Sequence, residues 1–343
     1  MKIADDDLPT FAERIGLKLI GDDCPGIRRK KRGRGFSYYF PDGHLLRGAD
    51  RRRVESLAVP PAWQRVWIAV DDRGHLQATG RDARLRKQYR YHPEWRQAMS
   101  AAKFERMADF GRSLPRLRRK VRSTLKLEEI SSDVAVAAVV RMLDRGHLRI
   151  GNEGYTRENG TFGATTLRPR HVDVDGPHVE ISFRGKHGVD REVELHDELL
   201  APVLRQLARS GRRLFSFEDG DGVRRRVTSA DVNAWIREHS GGDFSAKDFR
   251  TWHGSVDVLA RLCDEDGPKP TKRRLSAAIR HAAGELGNTP ATCRMHYVHP
   301  LVPRAYLGGT LCESMEAAEP IRELRAAECG LVRLLETPPV DAA

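Results

Sequence analysis

The chain has 343 residues, 39% of them hydrophobic, which is material for two domains that each bury a core. Its 60 Lys and Arg outweigh 48 Asp and Glu to give a net charge of +12 and a pI of 9.7, a balance that predicts salt-dependent attraction to polyanions. No apolar run reaches the length of about 18 residues that a membrane span needs. The acidic start MKIADDDLPT does not read as a signal peptide, so a cytoplasmic protein is expected. The five cysteines (Cys24, Cys263, Cys293, Cys312, Cys329) are scattered and lack a CxxC pair, which argues against a zinc ribbon and a disulfide framework.

Residues 1–97 read as a β-rich unit. The basic run Arg28, Arg29, Lys30, Lys31, Arg32 and Arg34, broken by Gly33 and Gly35, is expected to be a loop that enters the strand FSYYF. FSYYFPDGHLL signals a hairpin about Asp42-Gly43 and VWIAVDDRGHLQATG another about Arg73-Gly74, with LAVPPAW held extended between them by its prolines. In GRDARLRKQYRYH, Arg86, Lys87 and Gln88 adjoin Tyr89 and Tyr91. Alternation places the two tyrosines on one face, in a core or against a partner, and their polar and basic neighbours favour the partner. Residues 1–98 carry 21 Lys and Arg against 13 Asp and Glu, so this third of the chain holds most of the surplus charge.

Helical periodicity starts near residue 98 and defines a second domain over 98–335. SAAKFERMADFGRSLPRLRRKVRSTLK and SSDVAVAAVVRMLDRG read as helices, the second with Ser and Asp at its N-cap and Gly146 at its end. A small β insert is predicted at 161–195. Further helices follow near 197–210, 229–239, 245–263, 271–287, 290–298 and 313–335. The tail 336–343, ETPPVDAA, is expected to be disordered. DVDG at 173–176 and EDGDG at 218–222 read as turns, not acidic cation sites. The predicted class is α+β, with a small β-rich N-terminal domain and a mainly helical domain that holds a β insert.

Five residues, whose order carries a family resemblance, are the candidates for chemistry: Arg149 in HLRIGNEGY, Lys186 in FRGKHGV, Arg250 in KDFRTWHG, and Asn288 with Tyr297 in NTPATCRMHY. Lys186 lies between HVEISF and REVELH, two alternating segments that form a hairpin pattern. Attack on a phosphodiester needs cations on the non-bridging oxygens and a proton donor at the leaving oxygen. Arginine suits the first task, because it stays charged and its planar fork matches a phosphate. A lysine, whose proton is more easily given up on burial, suits the second. Tyr297 is the candidate nucleophile, and with an ordinary phenol pKa of about 10 it needs nearby cations to stabilise the charge it develops.

Asn288 and Tyr297 cannot share one helix. Nine positions apart, they would lie about 13 Å along the axis and on opposite faces. Thr289-Pro290 supplies an N-cap and a first-turn proline, so a new helix is expected to start there and Tyr297 to end it or follow it. His296 and His299 have HxxH spacing but no carboxylate or cysteine nearby, so no metal site is expected. Cys293 reads as a packing thiol.

The order Arg149, Lys186, Arg250, Asn288, Tyr297 resembles the active site of the type IB DNA topoisomerases of the poxvirus and bacterial group, with Asn288 where that family has His. The resemblance spans about 150 residues and extends to the QYRY segment in the N-terminal third. It implies ATP-independent, metal-free relaxation of supercoiled duplex DNA by a 3′-phosphotyrosyl intermediate on Tyr297, with Lys186 as general acid and no cofactor. It further implies a nucleoid-associated monomer whose two domains clamp the duplex. DNA contacts are expected from Arg86, Lys87, Gln88, Tyr89 and Tyr91. Tyr155 matches a DNA-contacting tyrosine of the family and could equally pack beside Arg149. At Asn152 the poxvirus pattern has a basic residue, which this chain lacks.

Two other classes remain open at this stage. Tyrosine recombinases share the Arg, Lys, Arg, Tyr order and the spacing in LGNTPATCRMHYVH, but usually show HxxR where this chain has KDFR. A basic DNA-binding protein that kept the fold without catalysis would bind tightly and form no covalent adduct.

Overall fold

The computed structural model describes residues 8–209, 213–264 and 270–338, apart from the side chain of His187. The chain divides into two compact units, Met1–Glu105 and Arg106–Ala343. The expected tail over 336–343 lies mostly outside the described residues.

The first unit opens with α1 (Leu8–Arg14), followed by β1 (Ile27–Arg32), β2 (Gly35–Tyr39), α2 (Gly48–Ser56), β3 (Gln64–Ile68), β4 (Leu76–Arg81), β5 (Lys87–Tyr91) and α3 (Pro93–Glu105). The strands form one antiparallel sheet in the order β2-β1-β3-β4-β5. Ile27, Tyr38, Val66, Ile68 and Ala78 from the sheet pack with Leu46 and Val54 into one core. A second cluster joins Phe11, Ala12 and Leu17 to Trp95 of α3. That packing ties α3 to this unit, so the division falls after Glu105 and not near residue 97.

The basic run is a strand, not the loop its composition suggested. β1 pairs with β2 from Arg28↔Tyr39 to Arg32↔Gly35, and Gly33 at φ +54° makes the tight turn that a side chain would strain. β2 pairs along the run and β3 at Ile27 and Arg28, and Arg29 is held without an acid. Its guanidinium donates to the carbonyls of Val59, Pro60 and Trp63 and lies 4.2 Å over the Phe36 ring. The predicted hairpin between β3 and β4 is present, with its turn at Asp71–Gly74. Neither α1 nor α2 was foreseen. In α2 only Val54 is buried, so there was no apolar stripe to read.

The second unit begins with α4 (Met107–Leu125), α5 (Ser132–Gly146) and α6 (Glu153–Asn159). The insert follows as β6 (Val172–Asp175), β7 (His178–Arg184) and β8 (Asp190–His196), an antiparallel sheet in chain order. Then come α7 (Leu200–Ala208), the short pair β9 (Ser216–Glu218) and β10 (Arg224–Arg226), α8 (Ser229–Ser240), α9 (Ala246–Cys263), α10 (Lys272–Glu285), α11 (Pro290–His296), α12 (Leu301–Leu307), α13 (Leu311–Glu316) and α14 (Ala326–Glu336). The fold is α+β, as predicted. The one helix expected from 98 to about 125 is instead α3 and α4, separated at Arg106, and that expected at 313–335 is α13 and α14.

α5 runs through the middle of this unit and is apolar almost all round, from Val134 to Leu143. Ser131 caps it by accepting from Val134 N, and its C-cap is His147 at φ +53°. α4 lays the stripe Phe110, Leu114, Leu117, Val121 and Leu125 toward it, and each such side chain contributes about 1.5–3 kcal/mol on burial. Asp144 of α5 sits in this interior with Arg118 of α4 and Glu328 of α14. Arg118 donates to both carboxylates over 2.7–2.9 Å, and Trp252 of α9 donates to Glu328 over 3.1 Å. A disulfide joins Cys263 at the end of α9 to Cys312 of α13, a pairing that the scattered spacing hid because the two lie 49 residues apart and meet only through the packing of these helices. DVDG at 173–176 is mostly the strand β6, with the turn at Gly176-Pro177, whereas 219–222 is a turn closed by Asp219, which accepts from Asp221 N and Val223 N.

Candidate active site

Four of the five predicted residues meet at the C-terminal end of α10. That helix ends in a Schellman arrangement: Asn288 N donates to Ala283 O, Gly287 N donates to Gly284 O, and Gly287 takes φ +58°, the left-handed conformation that glycine adopts without strain. The last carbonyls of a helix lack intrahelical donors and carry the negative end of its dipole. Three arginines take them in sequence. Arg191 donates to Gly284 O over 2.8 Å and to Glu285 O over 2.5 Å, Arg250 to Leu286 O over 2.7 Å, and Arg149 to Gly287 O over 2.8 Å.

Arg149 follows α5 in an extended stretch held by Ala164 N, which donates to Arg149 O, and Thr165 N, which donates to Ile150 O. Gly151 and Gly163 touch backbone to backbone there. A Cβ at 163 would lie 2.6 Å from Gly151 N, which is why LRIGNEGY and TFGATTL need both glycines. The second donor role of Arg149 is to Asn288 Oδ1 at 2.6 Å. Asn288 Nδ2 is buried and has no hydrogen-bond partner among the described residues.

Arg250 is 5% exposed and comes from the first half of α9. Besides Leu286 O, it donates to His147 O over 2.7 Å, so the left-handed C-cap of α5 helps to aim it. Its Nε has no partner. The guanidinium lies 5.1 Å over the Tyr297 ring. Burial, followed by repulsion from Arg149, brings the Arg250 pKa down to about 10, which leaves it charged at neutral pH. Burial also lowers the pKa of Arg149, against attraction to Tyr297.

Tyr297 is the C-cap of α11, which starts at Pro290 with Thr289 as N-cap, the arrangement deduced from the Asn288 to Tyr297 spacing. α9 fixes it on the face that carries Arg250. Gly254, one turn after Arg250, leaves room for it, since a Cβ at 254 would lie 2.6 Å from the Tyr297 carbonyl oxygen and 2.9 Å from its Cβ. Ser255 Oγ donates to the Tyr297 carbonyl over 3.1 Å and accepts from His299 N over 2.9 Å. Cys293 is buried in α11, its thiol pushed up to about 11 by burial, which makes it a packing residue as expected.

Lys186 is exposed, in a short 3-10 turn, Lys186–Gly188, at the tip of the β7–β8 hairpin. It makes no side-chain hydrogen bond or ion pair among the described residues. The other arginines of this unit's interior are neutralised: Arg118 by Asp144 and Glu328, Arg141 by Asp197. Arg149, Arg191 and Arg250 are not. Their hydrogen bonds run to carbonyl oxygens and the Asn288 amide, and none of the three forms an ion pair among the described residues.

A family model described as "Eukaryotic DNA topoisomerase I, catalytic core" matches residues 92–299, and one described as "Bacterial DNA topoisomerase IB, N-terminal domain" matches residues 35–82. The chain is 30% identical over 285 residues to DNA topoisomerase 1B of Acanthamoeba polyphaga mimivirus, covering 80% of this chain and 85% of that protein. The chain belongs to the type IB DNA topoisomerase family. A further family relative, DNA topoisomerase 1B of Vaccinia virus (strain Copenhagen), is 24% identical over 246 residues, which is 69% of this chain and 71% of the relative.

The candidate DNA-contacting residues of this family member differ in how free they are. Tyr89 and Tyr91 stand 47% and 38% exposed on β5, with rings stacked 5.9 Å apart, so they belong to the surface and not to a core. Lys87 pairs with Asp22 at 2.7 Å, Arg86 with Asp82 at 2.8 Å, and Gln88 donates to Asp82 over 3.0 Å. Tyr155 is 57% exposed on α6. Asn152 caps α6, its Oδ1 accepting from Gly154 N over 2.9 Å. Sequence reading missed Arg191, His147, Gly254 and Ser255. Gly254 and Ser255 had a signal, their position one turn beyond Arg250, but Arg191 and His147 act through backbone geometry that no motif announced.

Proposed function

We propose that the protein relaxes supercoiled duplex DNA by nicking one strand through Tyr297. Tyr297 loses its phenol proton to solvent as its oxygen attacks a backbone phosphorus, the bond from phosphorus to the 5′ oxygen breaks, and the 3′ end stays on the enzyme as a phosphotyrosine. Arg149 and Arg250 hold the non-bridging oxygens and stabilise the charge that builds on them. Asn288 Nδ2 donates to one of the same oxygens. Lys186 gives a proton to the departing 5′ oxygen. After the free strand has rotated, its 5′ hydroxyl attacks the phosphotyrosine, returns that proton and expels Tyr297. The covalent bond retains the energy of the one it replaced, so resealing needs neither ATP nor a metal ion.

The observation that carries this reading is the uncompensated charge among the described residues: guanidinium groups oriented by carbonyls beside a tyrosine, with no carboxylate paired to them there and with unpartnered donors at Asn288 Nδ2 and Arg250 Nε. A phosphate diester supplies the missing negative charge and acceptors. Tyr89, Tyr91 and Tyr155 would contact the duplex elsewhere, where backbone contacts set affinity and base contacts set preference. The enzyme acts as a monomer in the cytoplasm, on the nucleoid. Incubation with supercoiled plasmid in EDTA without ATP tests the proposal. Relaxation of any plasmid of either sign is expected, whereas exchange only between defined sites would assign a recombinase, and tight binding without relaxation would assign a non-catalytic protein.

A further inference from the structure

We infer that Arg191 is a positioning residue that aligns Lys186 with the rest of the site. The inference rests on the proposed role of Lys186 as general acid. Lys186 sits at an exposed hairpin tip with no side-chain hydrogen bond or ion pair of its own among the described residues, so something else must set its distance from the phosphate. Arg191 lies on β8 opposite Phe183 of β7, near the base of that turn. Its two donors bridge the carbonyls of Gly284 and Glu285, next to those held by Arg250 and Arg149.

Its stem packs on two glycines that stand beside catalytic positions. A Cβ at 185, immediately before Lys186, would lie 3.0 Å from Arg191 Cγ, and a Cβ at 287, immediately before Asn288, would lie 3.1 Å from Arg191 Nη1. Arg191 thus touches the neighbour of the proposed acid at one end and the neighbour of the proposed oxyanion donor at the other. A second tie supports the hairpin from the opposite side: Phe162 N donates to Arg184 O over 2.8 Å, and the adjoining Gly163–Thr165 segment holds Arg149. Burial lowers the Arg191 pKa, in keeping with a guanidinium seated in the fold and not free in solvent.

The test uses the full chain and single-turnover cleavage of duplex oligonucleotides that span a cleavage site mapped on plasmid, with either oxygen or sulfur at the 5′ bridging position. A sulfur leaving group needs no proton, so it bypasses the general acid alone. Arg191→Ala should slow the oxygen substrate by about 10-fold or more, part of the 10²- to 10⁴-fold that a general acid supplies, yet cut the sulfur substrate within about threefold of wild type. Lys186→Ala should show the same pattern more strongly, and the double variant should be no slower than Lys186→Ala. If Lys186→Ala is rescued by sulfur while Arg191→Ala is equally slow on both substrates, or unaffected on both, the inference fails and the Lys186 role stands. If Lys186→Ala is not rescued, the general-acid role fails and the inference falls with it. Should Arg191→Ala not fold, Arg191→Lys keeps a stem over Gly185 but loses the planar fork that spans both carbonyls, and the same comparison decides.

Discussion

Arg149 donates to Asn288 Oδ1 over 2.6 Å, and that single contact fixes which way the amide faces. A guanidinium has donors only, so the carboxamide must turn its oxygen to Arg149 and its nitrogen to the unpartnered side of the site. The Nδ2 group is therefore held ready to donate to a phosphate oxygen. Loss of one such donor typically costs about 10²-fold or more in rate. Asn288→Ala should cleave slower by about that factor, and Asn288→His should keep much of the activity because its Nε2–H serves the same oxygen. In pre-steady-state cleavage from pH 5 to 9, the wild type should show no ionisation near 6.5 assignable to position 288, and Asn288→His should introduce one. Wild-type cleavage by Asn288→Ala would reduce Asn288 to a helix-end residue.

Gly254 gives a prediction that separates placement from stability. A methyl group there meets the Tyr297 backbone, and overpacking of this kind costs about 1–3 kcal/mol. A nucleophile displaced by about 1 Å costs about 10²-fold in rate. Gly254→Ala should therefore stay folded, lower the urea midpoint modestly, bind DNA normally and cleave at about a hundredth of the wild-type rate. Normal cleavage by a folded Gly254→Ala protein would show that Tyr297 is not held by α9.

The site was legible to the extent that chemistry, not packing, defined it. Arg149, Arg250, Asn288 and Tyr297 could be picked out because their order resembles the family's active site, and the Thr289-Pro290 break followed from helix geometry. Arg191 was invisible because its role depends on where the end of α10 projects its carbonyls, which a Gly287 after the helix hints at but does not locate. The basic strand β1 read as a loop because charge density masked a two-residue turn, and α2 was missed because one buried Val54 makes no periodicity. The Cys263–Cys312 disulfide needs α9 and α13 side by side, a relation between helices far apart in the chain.

The Arg118, Asp144 and Glu328 network supports α9 from behind and should be costly to break. Burial would raise the Asp144 carboxyl, but Arg118 holds it well below the usual carboxylate range, and Glu328 falls to about 2 for the same reason. Removing one partner of a buried ion pair strands the others, at about 3–5 kcal/mol. Arg118→Ala should lose about that much in urea denaturation, whereas Arg112→Ala, on a mostly exposed pair with Glu336, should change it by less than about 1 kcal/mol. Equal midpoints for the two variants would contradict the account of the core.

Buried histidines set the acid limit of stability. Burial lowers the pKa of His299 to about 4 and of His171 to about 4, and each uses Nδ1 as an acceptor, from Leu301 N and Arg168 N, which a proton would block. Unfolded, they titrate near 6.5. The unfolded chain binds more protons between those values, so the stability from the neutral rings is complete above pH 6.5, roughly, and drains away toward pH 4. Each ring contributes a slope of up to about 1.4 kcal/mol per pH unit. Urea midpoints should be flat from pH 8 to 7 and fall between 6.5 and 4.5, with a shallower fall in His299→Gln. Constant midpoints across that window would show that the two rings titrate in the fold as they do in the unfolded chain.

The central claim is that Tyr297 forms the bond to DNA, and peptide mapping of the covalent adduct tests it most directly. The protein is stopped with detergent during cleavage of an end-labelled duplex, digested, and the DNA-linked peptide sequenced by mass spectrometry. The linkage should fall on the peptide NTPATCRMHY at Tyr297, through the 3′ phosphate. Tyr297→Phe should shift the same duplex in a binding assay and give no adduct. An adduct on any other residue, or one that survives in Tyr297→Phe, would contradict the account.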